Sequence, residues 1–249
     1  MLKYPISTLL YLAKINIKDK IQDILKLHNN IDVKLTVTVK DKDGKIIKVH
    51  KQRSHSFVSN FLAILASSLS ASQGYNPSTA YGYWFRATTG TYVAINPYGY
   101  YIDTIFNLNN SANNSAYGIV VGTGTATPTA NDFVLENQIV NGTGSGQLTY
   151  GAHTINPAPQ TISGGNIVTS STAPSSGLLT PSGNTTSWQI QRTFTNNSGA
   201  SITVSEVGLY MQVAGSGYYV MITHDLLSSA ITIPNGGVMA ITYTISVTT

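Results

Sequence analysis

Arg192 and Glu206 are the residues whose isolation first suggests chemistry, because no other Lys, Arg, Asp or Glu lies between Glu136 and Asp225. They stand in two β-type runs, residues 188–195 and 201–210, separated by a five-residue loop of ordinary hairpin length. If Thr195 faces Ser201, Arg192 faces Val204, and Glu206 lies one diagonal step away on the same face. Two charges set among Trp188, Ile190, Phe194 and Val204 should neutralise each other, since an unpaired buried charge is strongly destabilising. The pattern predicts an ion pair that fixes strand register; a catalytic or ligand-binding pair is the alternative.

Other catalytic patterns are missing. Asp41-Lys-Asp-Gly lacks the further ligands and the distal Glu of a calcium loop. Gly122-Thr-Gly and Gly142-Thr-Gly-Ser-Gly lack the Lys and the strand-to-helix setting of a phosphate loop. No Gly-x-Ser-x-Gly elbow occurs, and the absence of Cys removes thiolate chemistry and disulfides. His28, His50, His55, His153 and His224 show no metal-ligand spacing. The expectation is a protein without enzymatic activity, cofactor or metal.

Two clusters could bind partners. Tyr75, Tyr81, Tyr83, Trp84, Tyr92, Tyr98, Tyr100 and Tyr101 crowd a stretch rich in Gly and Asn and nearly free of charge. Such residues suit a protein interface, a core or a glycan platform; a nucleic-acid groove would need more cations than Arg86. Lys34, Lys40, Lys42, Lys45, Lys48, Lys51 and Arg53 form either a solvated basic face or a contact for packaged nucleic acid or an acidic protein.

Composition shows how the rest of the chain is made. Charged residues are 10% of 249, far below the average of about 25%. Ser, Thr and Asn supply 26, 30 and 20 residues, so hydroxyl and amide groups provide the polarity. Of the net charge of +4, residues 1–55 carry +7 and the remainder −3. A neutral surface of this kind has little electrostatic penalty against copies of itself. The longest apolar stretch, residues 57–69, is interrupted by Ser and Asn, so no membrane span is expected. Sequons at Asn109, Asn113, Asn141, Asn184 and Asn196 matter only if the chain is exposed to a glycosylating cell.

The elements follow from periodicity. Ile17, Ile21, Ile24 and Leu25 share one helical face. Val33, Leu35, Val37 and Val39 alternate with polar residues as a half-buried strand; Gly44 supplies a tight turn, and a second strand returns to residue 51. Phe57, Phe61, Leu62, Leu65 and Leu69 fit a helix. Short strands follow at residues 118–122, 147–150, 185–195, 201–213, 218–223 and 238–247. The fold expected is mainly β: an antiparallel β-sandwich or jelly roll over residues 72–249, with a Tyr-rich insert at about 75–117. A helix at 56–71 and a small basic N-terminal α+β module, helix plus hairpin, at 1–55 precede it.

Gly118-Ile-Val-Val-Gly-Thr-Gly-Thr, Asp132-Phe-Val-Leu-Glu-Asn-Gln-Ile, Gly146-Gln-Leu-Thr-Tyr-Gly and the run from Arg192 to Tyr210 form a set. Together with Ser54-His-Ser-Phe-Val-Ser-Asn-Phe-Leu it resembles β-rich structural proteins of tailed phages and archaeal viruses. The resemblance covers about residues 54–247 and leaves the basic hairpin outside. It implies a virion component of the tail, nozzle, adaptor or vertex apparatus, a symmetric homo-oligomer that contacts copies of itself and other virion proteins, with no enzymatic residues. A cell-surface adhesin or filament subunit, and a glycan-binding module, are the alternatives.

Overall fold

A computed structural model describes residues 31–54, 56–70, 83–94, 106–158, 178–213 and 217–248. The helix expected around Ile17–Leu25 lies outside the described residues.

The basic hairpin forms as its alternation predicts, from β1 (Ile31–Lys40) and β2 (Ile46–Arg53). Its turn is held by Asp41, whose Oδ1 accepts from the amides of Asp43 and Lys45 at 3.0 Å each, and by Gly44 at φ 78°. Only glycine takes that backbone conformation without strain. The hairpin is not a module of its own, however. β1 pairs with β11 (Val238–Thr248) from Ile31↔Val247 to Lys40↔Val238, so a boundary at residue 55 separates strands of one sheet. Val33, Leu35, Val37 and Val39 require cover on one face, and they find it by joining the main core.

That first sheet is antiparallel, in the order β2-β1-β11-β8-β7, with β7 at Thr149–Asn156 and β8 at Thr185–Thr195. Beyond the cations of β1 and β2, its outer face is built from hydroxyls and amides. Thr36, Thr242, Gln191 and Thr154 lie in one cross-strand row, and Lys34, Thr244, Gln189 and Asn156 in the next. The composition that replaces charge with Thr, Ser and Asn is thereby laid out across a sheet.

The second sheet centres on β9 (Ile202–Val213). β10 (Tyr219–Ile233) pairs along one side, and β5 (Phe106–Asn107) and β6 (Gly118–Gly122) along the other. β10 runs well past the expected stop at 223, with register shifts between Met221 and Thr223 and between Leu226 and Ile231. These irregularities hide it from a strict period-two reading. A ribbon of β3 (Trp84–Arg86) and β4 (Tyr92–Ala94) stands beside β10, joined by the Ala87↔Val220 bridge.

The expected 188–210 hairpin does not exist. β8 pairs with β7 and β11, β9 pairs with β10, β6 and β5, and the loop between them crosses from one sheet to the other. Buried Asn196 makes the crossing possible: its side-chain amide donates to the Ala200 and Ile233 carbonyls, each at 2.8 Å. These bonds satisfy carbonyls that a corner would otherwise strand. Loop length alone does not distinguish a corner from a hairpin.

Inward residues of both sheets form one apolar cluster, including Leu35, Ile190, Phe194, Ile241 and Tyr243 from the first and Val120, Val204, Val207 and Leu209 from the second. Helix α1 (Ser59–Ser70) covers the outer edge of β10, with Val58 and Ile64 buried. Leu62 and Leu65, expected on the packed face, are exposed, because Asn60 rather than Leu62 turns toward the sheet. The Asn60 amide donates to the carbonyls of Arg86 and Met221 at 2.9 and 3.1 Å and accepts from the Arg86 N–H at 2.9 Å, fastening helix, ribbon and β10 together.

Candidate functional site

The two isolated charges each have a buried site, and the sites are separate. Glu206, on β9, is fully buried. Its Oε1 accepts from the amides of Gly124 and Asn137 at 2.9 Å each, and its Oε2 accepts from the Glu136 amide at 3.1 Å. The same Oε2 lies 3.0 Å from Nε2 of His224 on β10, whose Nδ1 is 2.6 Å from Asp132 Oδ2. Asp132 is braced by the Thr129 amide at 2.9 Å and the Thr129 hydroxyl at 2.6 Å.

A histidine with a carboxylate at each ring nitrogen is held as imidazolium. Burial favours its neutral form, but the bonds to Glu206 and Asp132 outweigh it and raise the His224 pKa above its ordinary value. Burial likewise opposes ionisation of Glu206 and Asp132. For Glu206, His224 and three amides prevail, and for Asp132, Thr129 and His224, so both carboxyls titrate below their ordinary values. The result is an acid–histidine–acid chain that ties β9, β10 and the 123–137 segment together.

The glycines of the 118–124 motif make room for it. A Cβ at Gly122 would stand 2.2 Å from Glu206 Oε1 and 2.6 Å from the Asn137 carbonyl oxygen, and one at Gly124 would stand 2.5 Å from the same Glu206 oxygen. Neither glycine belongs to a phosphate loop; both let backbone approach an internal carboxylate. Tyr210 adds a second fastening, its phenol oxygen accepting from the Leu135 amide at 2.6 Å.

Arg192 faces inward from β8 and donates only to backbone carbonyls. Nε reaches Gly151 at 2.8 Å; Nη1 reaches Tyr117 and Ile119 at 3.1 and 3.0 Å; Nη2 reaches Ser111 at 3.1 Å and Asn114. Every N–H of the guanidinium thus has its own acceptor, and the group also lies 4.7 Å from the Tyr150 ring centroid. Burial lowers its pKa to about 10, so it remains charged. His153, opposite Arg192 in the β7–β8 ladder, accepts from the Ile119 amide at 2.9 Å. Burial and the Arg192 charge lower the His153 pKa to about 4, so it is neutral, with Nδ1–H facing the Asn110 carbonyl at 3.1 Å. Ile119 therefore turns its amide and carbonyl away from β9, and two side chains of the other sheet complete the edge of β6.

The predicted Arg192–Glu206 ion pair is corrected by this geometry. The strands that carry the two residues belong to different sheets, Arg192 is neutralised by carbonyl dipoles, and Glu206 is matched by amides and His224. The aligning signal in the sequence was real only for burial: scarce charges in apolar strands are engaged internally. His224 and Asp132, which complete the Glu206 chain, were missed because partners from distant segments leave no local spacing. The Gly122-Thr-Gly motif is the one trace of the arrangement.

Other expected site residues are dispersed. Tyr83, Trp84 and Tyr92 are exposed, whereas Tyr75, Tyr81, Tyr98, Tyr100 and Tyr101 lie outside the described residues. Lys40, Lys42, Lys45, Lys48, Lys51 and Arg53 are exposed along the β1–β2 edge. There Asp32 meets Lys34 Nζ at 3.1 Å and Arg53 Nε at 3.2 Å. Asn196, one of the sequons, is fully buried and has its amide engaged.

Near Asp132 the surface opens into a cavity of about 190 Å³, lined by Ser59, Asn60, Trp84, Arg86, Tyr92 and Asn131 among others. Among the described residues, no group of three His, Asp or Glu side chains converges to hold a metal ion, and no helix is long and apolar enough to cross a membrane. Comparison with protein-family models, curated proteins and solved structures finds no match for this chain.

Proposed function

We propose that this chain is a structural subunit of a virus particle: a β-sandwich that assembles as a symmetric oligomer with copies of itself and other virion proteins in a tail, nozzle, adaptor or vertex apparatus. The observation that carries the reading is where the motif residues act. Gly122, Gly124, Asp132, Arg192, Glu206 and Tyr210, which carry the resemblance to virion proteins, are engaged in holding segments of the chain to one another. Residues used in this way serve rigidity rather than turnover. Glu206 has no solvent access and His224 has both nitrogens engaged, so neither meets a substrate.

The exterior supports the same reading. Over β11, β8 and β7 the outward face of the first sheet carries hydroxyls and amides, and on its edge strand β2 Ile46, Ile47 and Val49 are exposed beside Lys48, Lys51 and Arg53. A neutral stretch of sheet and exposed apolar side chains suit contacts between subunits. The basic edge of the hairpin suits an acidic neighbour or packaged nucleic acid. Native mass spectrometry of the purified chain, together with immunogold electron microscopy of particles, tests the proposal. A discrete symmetric oligomer and labelling at one particle position are expected. A monomer at high concentration, absent from particles, refutes it.

A further inference from the structure

The β3–β4 ribbon has a composition that rigidity does not explain. Trp84 and Arg86 are two positions apart and therefore share a face, and Tyr92 pairs directly with Arg86 on that face. Phe85, on the other face, is buried and supplies the packing that holds the ribbon. Trp84 and Tyr92 are 66% and 62% exposed, and both line the cavity beside Asp132. An indole left in water beside a concavity loses the burial that normally stabilises such a side chain.

Arg86 and Asp132 are held in place at the cavity before any ligand arrives. The Arg86 guanidinium lies 3.7 Å from the Phe133 ring centroid, and its buried Nε has no hydrogen-bond partner among the described residues. Asp132 is fixed by Thr129 and His224 and keeps part of its carboxylate exposed to the cavity. Asn131 adds an amide, which both donates and accepts. Fixing Arg86 and Asp132 in advance lowers the ordering cost of binding.

We propose that this cavity is a carbohydrate-binding site for one neutral sugar ring, with Trp84 as the stacking surface, Arg86 and Asn131 as donors and Asp132 as acceptor. Alternative ligand classes fit less well. A phosphate would meet the Asp132 carboxylate, and an organic cation would meet Arg86. A nucleic-acid strand needs a cationic track that a single Arg does not provide. A neutral polyol has adjacent hydroxyls that donate to Asp132 and accept from Arg86, with an apolar C–H face for the indole. The volume is below the roughly 300–1,000 Å³ of drug-sized pockets, which limits the occupant to one ring of a longer glycan. The inference does not rest on the virion proposal, since a sugar site would be present in a chain that never enters a particle.

The test is saturation-transfer NMR on the full chain with glucose, galactose, mannose and N-acetylglucosamine, followed by a glycan array. At least one neutral hexopyranose should show transfer. Trp84→Ala and Arg86→Gln should each weaken binding at least tenfold. Because Trp84 is mostly exposed, its variant should keep the wild-type melting temperature; Leu62→Ala, an exposed change on α1 outside the cavity, should bind normally. No transfer to any of the four sugars together with a blank array overturns the proposal. So does binding that survives both cavity variants, or a Trp84→Ala variant that loses self-association while sugar binding was never present.

Discussion

Arg192→Lys separates a charge from a hydrogen-bonding role more cleanly than any other substitution in this chain. Lysine keeps the positive charge, but its single nitrogen has three donors against the five carbonyls now served from Gly151, Tyr117, Ile119, Ser111 and Asn114. At least two carbonyls lose the guanidinium, although Tyr117 and Asn114 keep the Asn110 side-chain amide as donor, at 2.9 and 3.1 Å. With an unsatisfied buried group costing about 1–3 kcal/mol and two of the carbonyls still served by Asn110, a loss of about 1–3 kcal/mol is expected against a typical total of about 5–15. For a chain of this size about 1 kcal/mol corresponds to about 2–4 °C, so the melting temperature should fall by roughly 2–12 °C. Denaturant titration followed by tryptophan fluorescence measures the change directly. A paired experiment addresses the ion-pair alternative. In a double-mutant cycle of Arg192→Met with Glu206→Gln, the coupling should remain below about 0.5 kcal/mol, because the two sites share no partner and engage β6 about three residues, roughly 10 Å, apart. Arg192→Lys within 1 kcal/mol of wild type, or a coupling of several kcal/mol, would refute the carbonyl-cage account.

Three further outcomes follow from the same geometry. Gly122→Ala forces a methyl group against Glu206 Oε1 and the Asn137 carbonyl, so an overpacking loss of about 1–3 kcal/mol is expected in urea titration; a neutral substitution would mean that the 137 segment is free to shift. The buried His224 and the half-buried His153 should move stability in opposite directions with pH. His153 binds its proton less readily when folded, so its contribution is complete above pH 6.5 and is lost as pH falls toward about 4, by at most roughly 3 kcal/mol. His224, with a raised pKa, contributes fully below 6.5 and loses its contribution as pH rises through its folded value. Glu206 and Asp132, both lowered, contribute above their ordinary values near 4 and lose this as pH falls through the folded ones. NMR titration of the imidazoles checks the assignment: His224 titrating below 6.5 would contradict it, and His224→Gln should remove the alkaline decline. Finally, Asn60→Asp leaves the Arg86 and Met221 carbonyls facing a carboxylate, and should loosen the β3–β4 ribbon, read as faster amide exchange at residues 84–94 with β11 unchanged.

Strands whose partners are adjacent in sequence, or whose faces alternate cleanly, were legible. β1, β8 and β11 follow period two, Gly44 marks the hairpin turn, and 118–122 stands out as an uninterrupted apolar run. What stayed hidden depends on which sheet a strand joins. The 188–195 and 201–210 runs look like a hairpin by every local criterion, yet buried Asn196 turns the chain through a corner, and no property of a five-residue loop reports that. The basic hairpin looked separate because charge composition changes near residue 55. Among the described residues, exposed Lys34, Lys40, Lys42, Lys45, Lys48, Lys51 and Arg53 carry that change, while Leu35, Val37 and Val39 belong to the common core.

The candidate site shows the same division in its chemistry. Rarity of charge correctly marked Arg192 and Glu206 as internally engaged, because desolvation leaves a lone buried ion no other stable outcome. The step from two buried charges to one ion pair failed because a charge can be neutralised by dipoles. Five carbonyls serve Arg192, and three amides with one imidazolium serve Glu206. Backbone dipoles have no residue signature, so a sequence reveals them only through the glycines that let the backbone come close. Gly122 and Gly124 are such glycines. A motif of the form Gly-x-Gly beside a later isolated Glu is therefore better read, in a charge-poor β chain, as the wall of a carboxylate site than as a phosphate loop.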